Sequence, residues 1–206
     1  MRVVLASTSR YRAALLQRLG IEFTVMAPAV DETPIPGEPA LALCRRLAAA
    51  KAAAVAARAA DALVIGSDQV LAFGTAVLGK PGDHATAVAQ LQRMSGSTAR
   101  FLTALHVRCP DGRGYDLAVP HAVHFRVLDD ALIEAYLRYD TPYDCAGSFK
   151  SESAAPVLFA GQAGDDPTAL VGLPLQRLSA ILRAEGVSLF ALPPGPAAAQ
   201  GQPPAP

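Results

Sequence analysis

Two short polar segments could act on a phosphorylated substrate. The apolar run at residues 62–65 predicts a buried strand that ends in glycine, with Asp68 and Gln69 following in a polar loop. Strand ends commonly direct a carboxylate at a substrate or a metal. Lys80 lies between a glycine and a proline, which favour a tight, rigid turn. One carboxylate and one fixed ammonium suit a phosphoanhydride bound with a divalent cation. The alternative is a strand end and a turn that carry solvated charges.

A phosphate site is predicted nearer the N-terminus. Ser7 and Ser9 lie between the first predicted strand and the first predicted helix. Backbone amides and hydroxyls at such a helix start can hold an anion. Helix capping explains the serines equally well, but capping does not need Arg12, so Arg12 favours phosphate binding. The segment contains no glycine-rich loop, so it is not a P-loop.

Two further segments carry carboxylates. Asp31 and Glu32 lie in a proline-rich loop, where they are either solvated or, in the case of Glu32, able to ligate Mg²⁺, which takes few protein ligands. Residues 144–152 are small and polar, and Glu152 could accept hydrogen bonds from the edge of a base. Cys145 has no histidine partner placed by the sequence, so a small buried thiol is the simpler interpretation.

The elements that must position these residues alternate between strand and helix in the first half of the chain. Strands are predicted at 3–5, 22–26 and 62–65, and helices at about 10–19, 39–59 and 84–94, with a loop at 29–39. Antiparallel strands at 101–107 and 118–125 follow, then helices that begin near residues 130 and 175. This order predicts an α/β single domain with a mixed, twisted β-sheet flanked by helices.

Composition narrows the classes of function. The chain has 206 residues, of which 51% are hydrophobic and 17% charged, and its formal net charge is zero. One core and one domain are expected, and nothing indicates nucleic acid or an anionic membrane as a partner. The strand-like start shows no secretory signal, and three scattered cysteines predict reduced thiols in the cytoplasm, without a zinc site. We expect a domain at residues 1–192 and a disordered Pro/Ala-rich tail at 193–206.

Together these segments resemble the Maf family of nucleotide pyrophosphatases. Six motifs occur in the order and spacing of that family over about residues 3–186. They are Leu-Ala-Ser-Thr-Ser at 5–9 with Arg12, Asp-Glu-Thr-Pro at 31–34, the lysine at 51, Gly-Ser-Asp-Gln at 66–69, Gly-Lys-Pro at 79–81 and Gly-Leu-Pro-Leu at 172–175. The resemblance implies a Maf or inosine-triphosphatase-like fold.

Residues 145–152 resemble one branch of the family, whose members hydrolyse 7-methyl-GTP. The specificity positions of that branch correspond here to Tyr11, Gln69 and Glu152. An aromatic ring suits a methylated purine, because methylation makes the base cationic and adds a cation–π contribution to stacking. Ala13 replaces a second arginine that is usual in this branch, which shifts phosphate contacts to Arg10 or Arg12.

The resemblance also implies the reaction, hydrolysis between the α and β phosphates. Asp68 would be the catalytic base, and Glu32 and Asp68 would ligate Mg²⁺ or Mn²⁺. The residues implied to bind the triphosphate are Ser7, Arg12, Lys51 and Lys80. The expected partner is a small-molecule nucleotide, with a homodimer as an allowed assembly. Two alternatives remain: a dTTP/UTP pyrophosphatase, or a nucleotide-binding regulator of septum formation that need not keep Asp68.

Overall fold

The computed structural model describes residues 1–192, which form one α/β domain around a seven-stranded sheet. The predicted tail at 193–206 lies outside the described residues. The strands are β1 (Val3–Ala6), β2 (Thr24–Met26), β3 (Leu63–Phe73), β4 (Ala76–Leu78), β5 (Thr98–Arg108), β6 (Gly114–Phe125) and β7 (Phe159–Ala163). The helices are α1 (Arg10–Gln17), α2 (Ala40–Ala56), α3 (His84–Met94), α4 (Asp130–Asp140) and α5 (Leu175–Ala184).

The sheet is mixed, as predicted. Its strands lie in the order β2-β1-β3-β5-β6-β7, and β4 also pairs with β3. The strand β1 is parallel to β2 and to β3, whereas β3, β5, β6 and β7 pair antiparallel in sequence. The domain therefore joins a parallel half, which needs crossover helices, to an antiparallel half built from hairpins.

Three helices begin at side-chain caps. Ser9, Asp83 and Asp129 each accept a hydrogen bond from a backbone amide three residues later, which satisfies one otherwise unpaired donor of the first turn. The predicted starts of these helices are confirmed, and α5 follows Pro174 as predicted. The helix predicted at 39–59 is shorter, at Ala40–Ala56.

The predicted loop after Gly66 is wrong. Strand β3 continues through Asp68 and Gln69 to Phe73, because its backbone pairs with β5 without interruption from Val64 to Ala72. Polar side chains do not end a strand whose backbone groups stay paired on a neighbouring strand. The two hairpin strands are likewise longer than predicted.

The extension of β3 creates the opening where the polar residues gather. Strand β1 pairs with β3 only as far as Gly66, and β4 pairs with β3 only from Leu71 onward. Between these points, one edge of β3 has no neighbouring strand within residues 1–192. The apolar core lies on both faces of the sheet. No helix among the described residues is long and apolar enough to cross a membrane.

Candidate active site

One cavity of about 620 Å³ lies at this gap in the sheet. All the side chains proposed from the sequence as site residues line it. They come from the β1–α1 junction, the loop before α2, α2 itself, β3, the loop after β4 and the segment after α4. They are Ser7, Tyr11, Arg12, Glu32, Lys51, Asp68, Gln69, Lys80 and Glu152.

A lysine and two carboxylates form the charged centre of the cavity. The Lys51 Nζ lies 2.6 Å from Asp68 Oδ1 and 2.9 Å from Glu32 Oε2. The side chains of Lys51 and Asp68 are almost fully buried, whereas that of Glu32 is 57% exposed. Burial raises the pKa of Asp68, and the Lys51 ammonium acts against that shift. The centre therefore combines a carboxylate of raised basicity with a cation that is already in place.

Gly66 explains how Lys51 reaches Asp68. A Cβ at Gly66 would lie 2.9 Å from the Ala52 Cβ and closer still to the Ala48 carbonyl oxygen. Helix α2 can pack this near to β3 only because the strand has a glycine and the helix has alanines at the contact. The close packing brings the Lys51 side chain over the strand beside Asp68.

The Glu32 loop is tied to the same helix. Arg46 donates two hydrogen bonds of 2.7 Å to the Glu38 carboxylate and a third of 3.2 Å to the Thr33 carbonyl oxygen. A bidentate arginine–carboxylate pair fixes geometry as well as charge. The loop that carries Glu32 and the helix that carries Lys51 are therefore held together near the site.

Arg12 is anchored by a backbone carbonyl that the sequence did not single out for this role. The Arg12 Nε donates to the Gly172 carbonyl oxygen at 2.8 Å, and the buried Ser67 hydroxyl lies 2.9 Å from the same oxygen. Gly172 has a φ of 110°, which favours glycine, and it ends the 3₁₀ helix Pro167–Val171. Its position directs the guanidinium of Arg12 into the cavity.

Gln69 and Ser67 point to the same face of β3, opposite to Asp68, as alternate strand residues do. The Gln69 amide nitrogen lies 2.8 Å and 3.0 Å from the carbonyl oxygens of Ala169 and Leu170. Thr103 on β5 donates to the Ala169 carbonyl oxygen at 2.8 Å as well. Gln69 thus lines the cavity and also holds the 3₁₀ helix that carries the anchor of Arg12.

Ser7 is buried at the start of the cavity, and its hydroxyl oxygen accepts a hydrogen bond of 3.0 Å from the Ser9 amide. The hydroxyl proton remains available for a ligand. Lys80 is exposed in the loop after β4, and no described carboxylate lies within 4.0 Å of its ammonium. One hydroxyl and one exposed cation therefore line the cavity.

The opposite end of the cavity is aromatic and acidic. The Tyr11 hydroxyl accepts a 2.8 Å hydrogen bond from Arg10 and lies 3.4 Å from Asp144 Oδ2. Burial raises the pKa of Tyr11 to about 12, so the ring stays a neutral phenol. Tyr11 thus contacts the segment after α4. Among the described residues, it does not belong to an apolar cluster between α1 and the sheet.

The segment at residues 145–152 is held from its apolar side. Phe149 is buried in edge-to-face contact with Phe101, Phe125 and Phe159, at ring distances of 5.1 to 5.8 Å. A Cβ at Gly147, where φ is 79°, would lie 2.6 Å from Leu71. Close approach here needs glycine.

Asp140 fixes the chain beyond Glu152. Its carboxylate accepts hydrogen bonds of 2.6 Å from Ser153 and 3.2 Å from the Ala154 amide.

Burial raises the pKa of Cys145 to about 12, which disfavours a thiolate nucleophile at this position.

Glu32 and Asp68 are the residues that could hold a divalent cation. Two carboxylates suit Mg²⁺, which binds through one or two protein carboxylates together with waters and substrate phosphates. No group of three or more His, Cys, Asp and Glu side chains within residues 1–192 could hold a metal by protein ligands alone. The donor set therefore fits a cation that arrives with a phosphorylated substrate.

The fold is a single α/β domain, and cationic, acidic and aromatic side chains line its cavity. The model of the family described as Maf-like protein matches residues 2–185. The chain therefore belongs to the Maf family, as the resemblance of its motifs predicted.

Named relatives cover nearly the whole chain. A protein of Thiobacillus denitrificans named 7-methyl-GTP pyrophosphatase is 53% identical over 192 residues, which is 93% of this chain and 96% of that protein. A protein of Burkholderia pseudomallei with the same name is 51% identical, with 93% and 91% of the two chains covered.

Similar solved structures are more distant. The Staphylococcus aureus Ham1 protein is 14% identical with a TM-score of 0.48, and the match covers 90% of this chain and 100% of that one. A nucleoside-triphosphatase, also described as a dITP/XTP pyrophosphatase, from Mycobacterium abscessus is 19% identical with a TM-score of 0.41. That match covers 61% of this chain and 73% of the other.

Proposed function

We propose that this protein is a nucleoside triphosphate pyrophosphatase that hydrolyses 7-methyl-GTP to 7-methyl-GMP and pyrophosphate. The observation that carries the proposal is the charge distribution of this cavity, which has Arg12, Lys51, Lys80 and the buried Asp68 at one end and the Tyr11 ring with Arg10, Asp144 and Glu152 at the other. A triphosphate matches the first end, and a cationic methylated base matches the second. The names of relatives at about half identity agree with this substrate.

The phosphate end provides charge neutralisation before the reaction begins. Arg12 is fixed by Gly172, and Lys51 is held between its two carboxylates, so both cations lie in the cavity before the substrate binds. Lys80 is the exposed cation of the three, and its ammonium would move into contact with the triphosphate as the substrate binds. Preorganised cations of this kind stabilise charge that develops on the phosphoryl oxygens in the transition state.

Asp68 would accept the proton of the attacking water. In the proposed reaction a water oxygen bonds to the α-phosphorus, the bond from that phosphorus to the oxygen bridging to the β-phosphate breaks, and pyrophosphate leaves with the electron pair. The raised pKa of Asp68 makes its carboxylate a better proton acceptor than an ordinary aspartate. Ser7 would donate its hydroxyl proton to a phosphate oxygen.

A divalent cation would be held by Glu32 and Asp68. When bound, Mg²⁺ or Mn²⁺ would neutralise phosphate charge and orient the oxygens of the substrate. In the free protein Lys51 lies against both carboxylates, so it partly offsets their charge where the cation would bind. A nucleotide substrate and three free cysteines also suit the cytoplasm, where we expect the protein to act as a monomer or a homodimer.

The base end would provide selectivity. A methylated guanine carries a positive charge that stacks on Tyr11 and is balanced by Glu152, whereas thymine and uracil lack that charge. This contrast separates the proposed substrate from dTTP and UTP.

A substrate panel tests the proposal. Pyrophosphate release is measured with 7-methyl-GTP, GTP, dTTP, UTP and CTP, with Mg²⁺ and with Mn²⁺. We expect the highest kcat/KM with 7-methyl-GTP. A comparable or higher value with dTTP would contradict the substrate, and the absence of release from every nucleotide would favour a binding regulator over an enzyme.

A further inference from the structure

Arg10, the residue before Tyr11, is a cation at the helix end where positive charge is unfavourable. Arg10 and Arg12 both lie in the first turn of α1, which has no acidic residue. Cations at a helix N-terminus face the positive end of the helix dipole and are unfavourable there. Arg12 is accounted for by its carbonyl anchor and by the phosphates, whereas Arg10 points to the base end and needs a separate explanation.

Arg10 contacts the features that a cationic base would use. The carbon of its guanidinium lies 4.8 Å from the centre of the Tyr11 ring, and one of its nitrogens lies 3.6 Å from Asp144 Oδ2. A guanidinium is a planar, delocalised cation that stacks on aromatic rings. The free protein therefore already holds a planar cation on this ring, beside a carboxylate.

The Tyr11 hydroxyl lies 3.4 Å from Asp144 Oδ2, and Asp144 begins the segment that ends at Glu152. The chain turns between them at Gly147 and Ser148, whose φ values are 79° and 62°. Asp144 and Glu152 both line the cavity as a result. Two carboxylates, rather than Glu152 alone, are available to a cation in this place.

We propose that Arg10 occupies the base site of the free protein, and that Asp144 exchanges Arg10 for the cationic base when substrate binds. Asp144 is then a specificity-determining residue in addition to Glu152. This inference rests on the proposed function for its substrate, but it concerns the recognition of any planar cation at the Tyr11 ring.

Removing Arg10 and removing the charge of Asp144 should change nucleoside binding in different ways. Removing Arg10 uncovers the Tyr11 ring, so a nucleoside should bind about two- to tenfold more tightly. The expected factor is the inverse of the fraction of time that Arg10 leaves the ring uncovered in the wild type. Removing the charge of Asp144 should weaken only the cationic nucleoside, because a neutral base gains little from a carboxylate.

The test uses nucleosides, which carry no phosphate. Dissociation constants of 7-methylguanosine and guanosine are measured by ligand-observed NMR for the wild type, Arg10→Ala and Asp144→Asn. The control is Asp116→Asn, which makes the same charge change on β6 outside the cavity lining. We expect Arg10→Ala to tighten the binding of both nucleosides. Asp144→Asn should raise the ratio of the 7-methylguanosine dissociation constant to the guanosine dissociation constant several-fold, while the control leaves this ratio unchanged.

Three outcomes decide between the explanations. Unchanged nucleoside binding in Arg10→Ala, with a higher KM for all triphosphates, would show that Arg10 binds phosphate and would overturn the proposal. An unchanged ratio in Asp144→Asn would remove Asp144 as a determinant. If the nucleosides behave as expected but the wild type releases no pyrophosphate from 7-methyl-GTP, the recognition stands and the proposed function fails.

Discussion

Replacing Gly66 with alanine tests whether the close contact between α2 and β3 sets up the active site. The added Cβ would lie 2.3 Å from the Ala48 carbonyl oxygen and 2.9 Å from the Ala52 Cβ, whereas ordinary contact begins at about 3.4 Å, so α2 must move outward by about 1 Å. The obstructing atoms belong to the helix backbone and to an alanine, and none of them can rotate away. Overpacking costs about 1–3 kcal/mol, and we expect the upper end here.

Stability and activity should fall together in this variant. A loss of about 3 kcal/mol corresponds to a decrease in Tm of about 6–12 °C for a domain of this size. The same outward shift would lengthen the 2.6 Å contact between Lys51 and Asp68. Because small displacements of catalytic groups are costly, we expect kcat/KM to fall by about tenfold to a hundredfold at temperatures where the variant is folded.

Gly161→Ala is the matched control for Gly66→Ala. Its Cβ would meet only His124, at 3.9 Å, and it lies on the edge strand β7 outside the cavity lining. We expect a change in unfolding free energy within about 0.5 kcal/mol and unchanged kinetics. Thermal melts and pyrophosphate release measured on both variants decide the matter. A Gly66→Ala protein with wild-type Tm, or one that is destabilised but fully active when folded, would refute the reasoning.

The remaining predictions concern the two ends of the cavity and the tail. Asp68→Asn should keep folding and nucleotide binding but lower kcat by about a hundredfold or more, and wild-type turnover would exclude Asp68 as the base. Burial raises the pKa of Asp68, so the pKa read from the acid side of the pH profile of kcat/KM should lie above the ordinary aspartate pKa of about 3.9. For the same reason, wild-type unfolding free energy should fall as pH rises from that value through the raised pKa, a fall that Asp68→Asn should lack in urea titrations. Tyr11→Ala and Glu152→Gln should each narrow the kcat/KM ratio of 7-methyl-GTP to GTP, whereas a lower Tm of Tyr11→Ala at an unchanged ratio would indicate a packing role. Deleting residues 193–206, which carry no charge or large apolar side chain, should leave Tm and activity unchanged, and a fall of several degrees would contradict this.

The sequence by itself determined the order of the elements and the chemistry of the site residues. Helix caps at Ser9, Asp83 and Asp129 are local signals, because the side chain bonds to an amide only three residues away. The motif spacing identified the family, and the polar residues that it singled out line a common cavity. Such information is carried by residue type and by short distances along the chain, so folding is not needed to recognise it.

Tertiary structure alone decided how these residues meet. Strand β3 continues past Gly66 because its backbone pairs with β5, which lies 28 to 38 residues further along the chain at the paired positions, and no local signal reveals that pairing. The anchor of Arg12 is a carbonyl 160 residues distant, at Gly172. The contact of Lys51 with Asp68 depends on the depth to which α2 packs on β3. Pairing, anchoring and packing depth are set by atoms that only the folded chain brings together, and for that reason the site's geometry could not be predicted from its motifs.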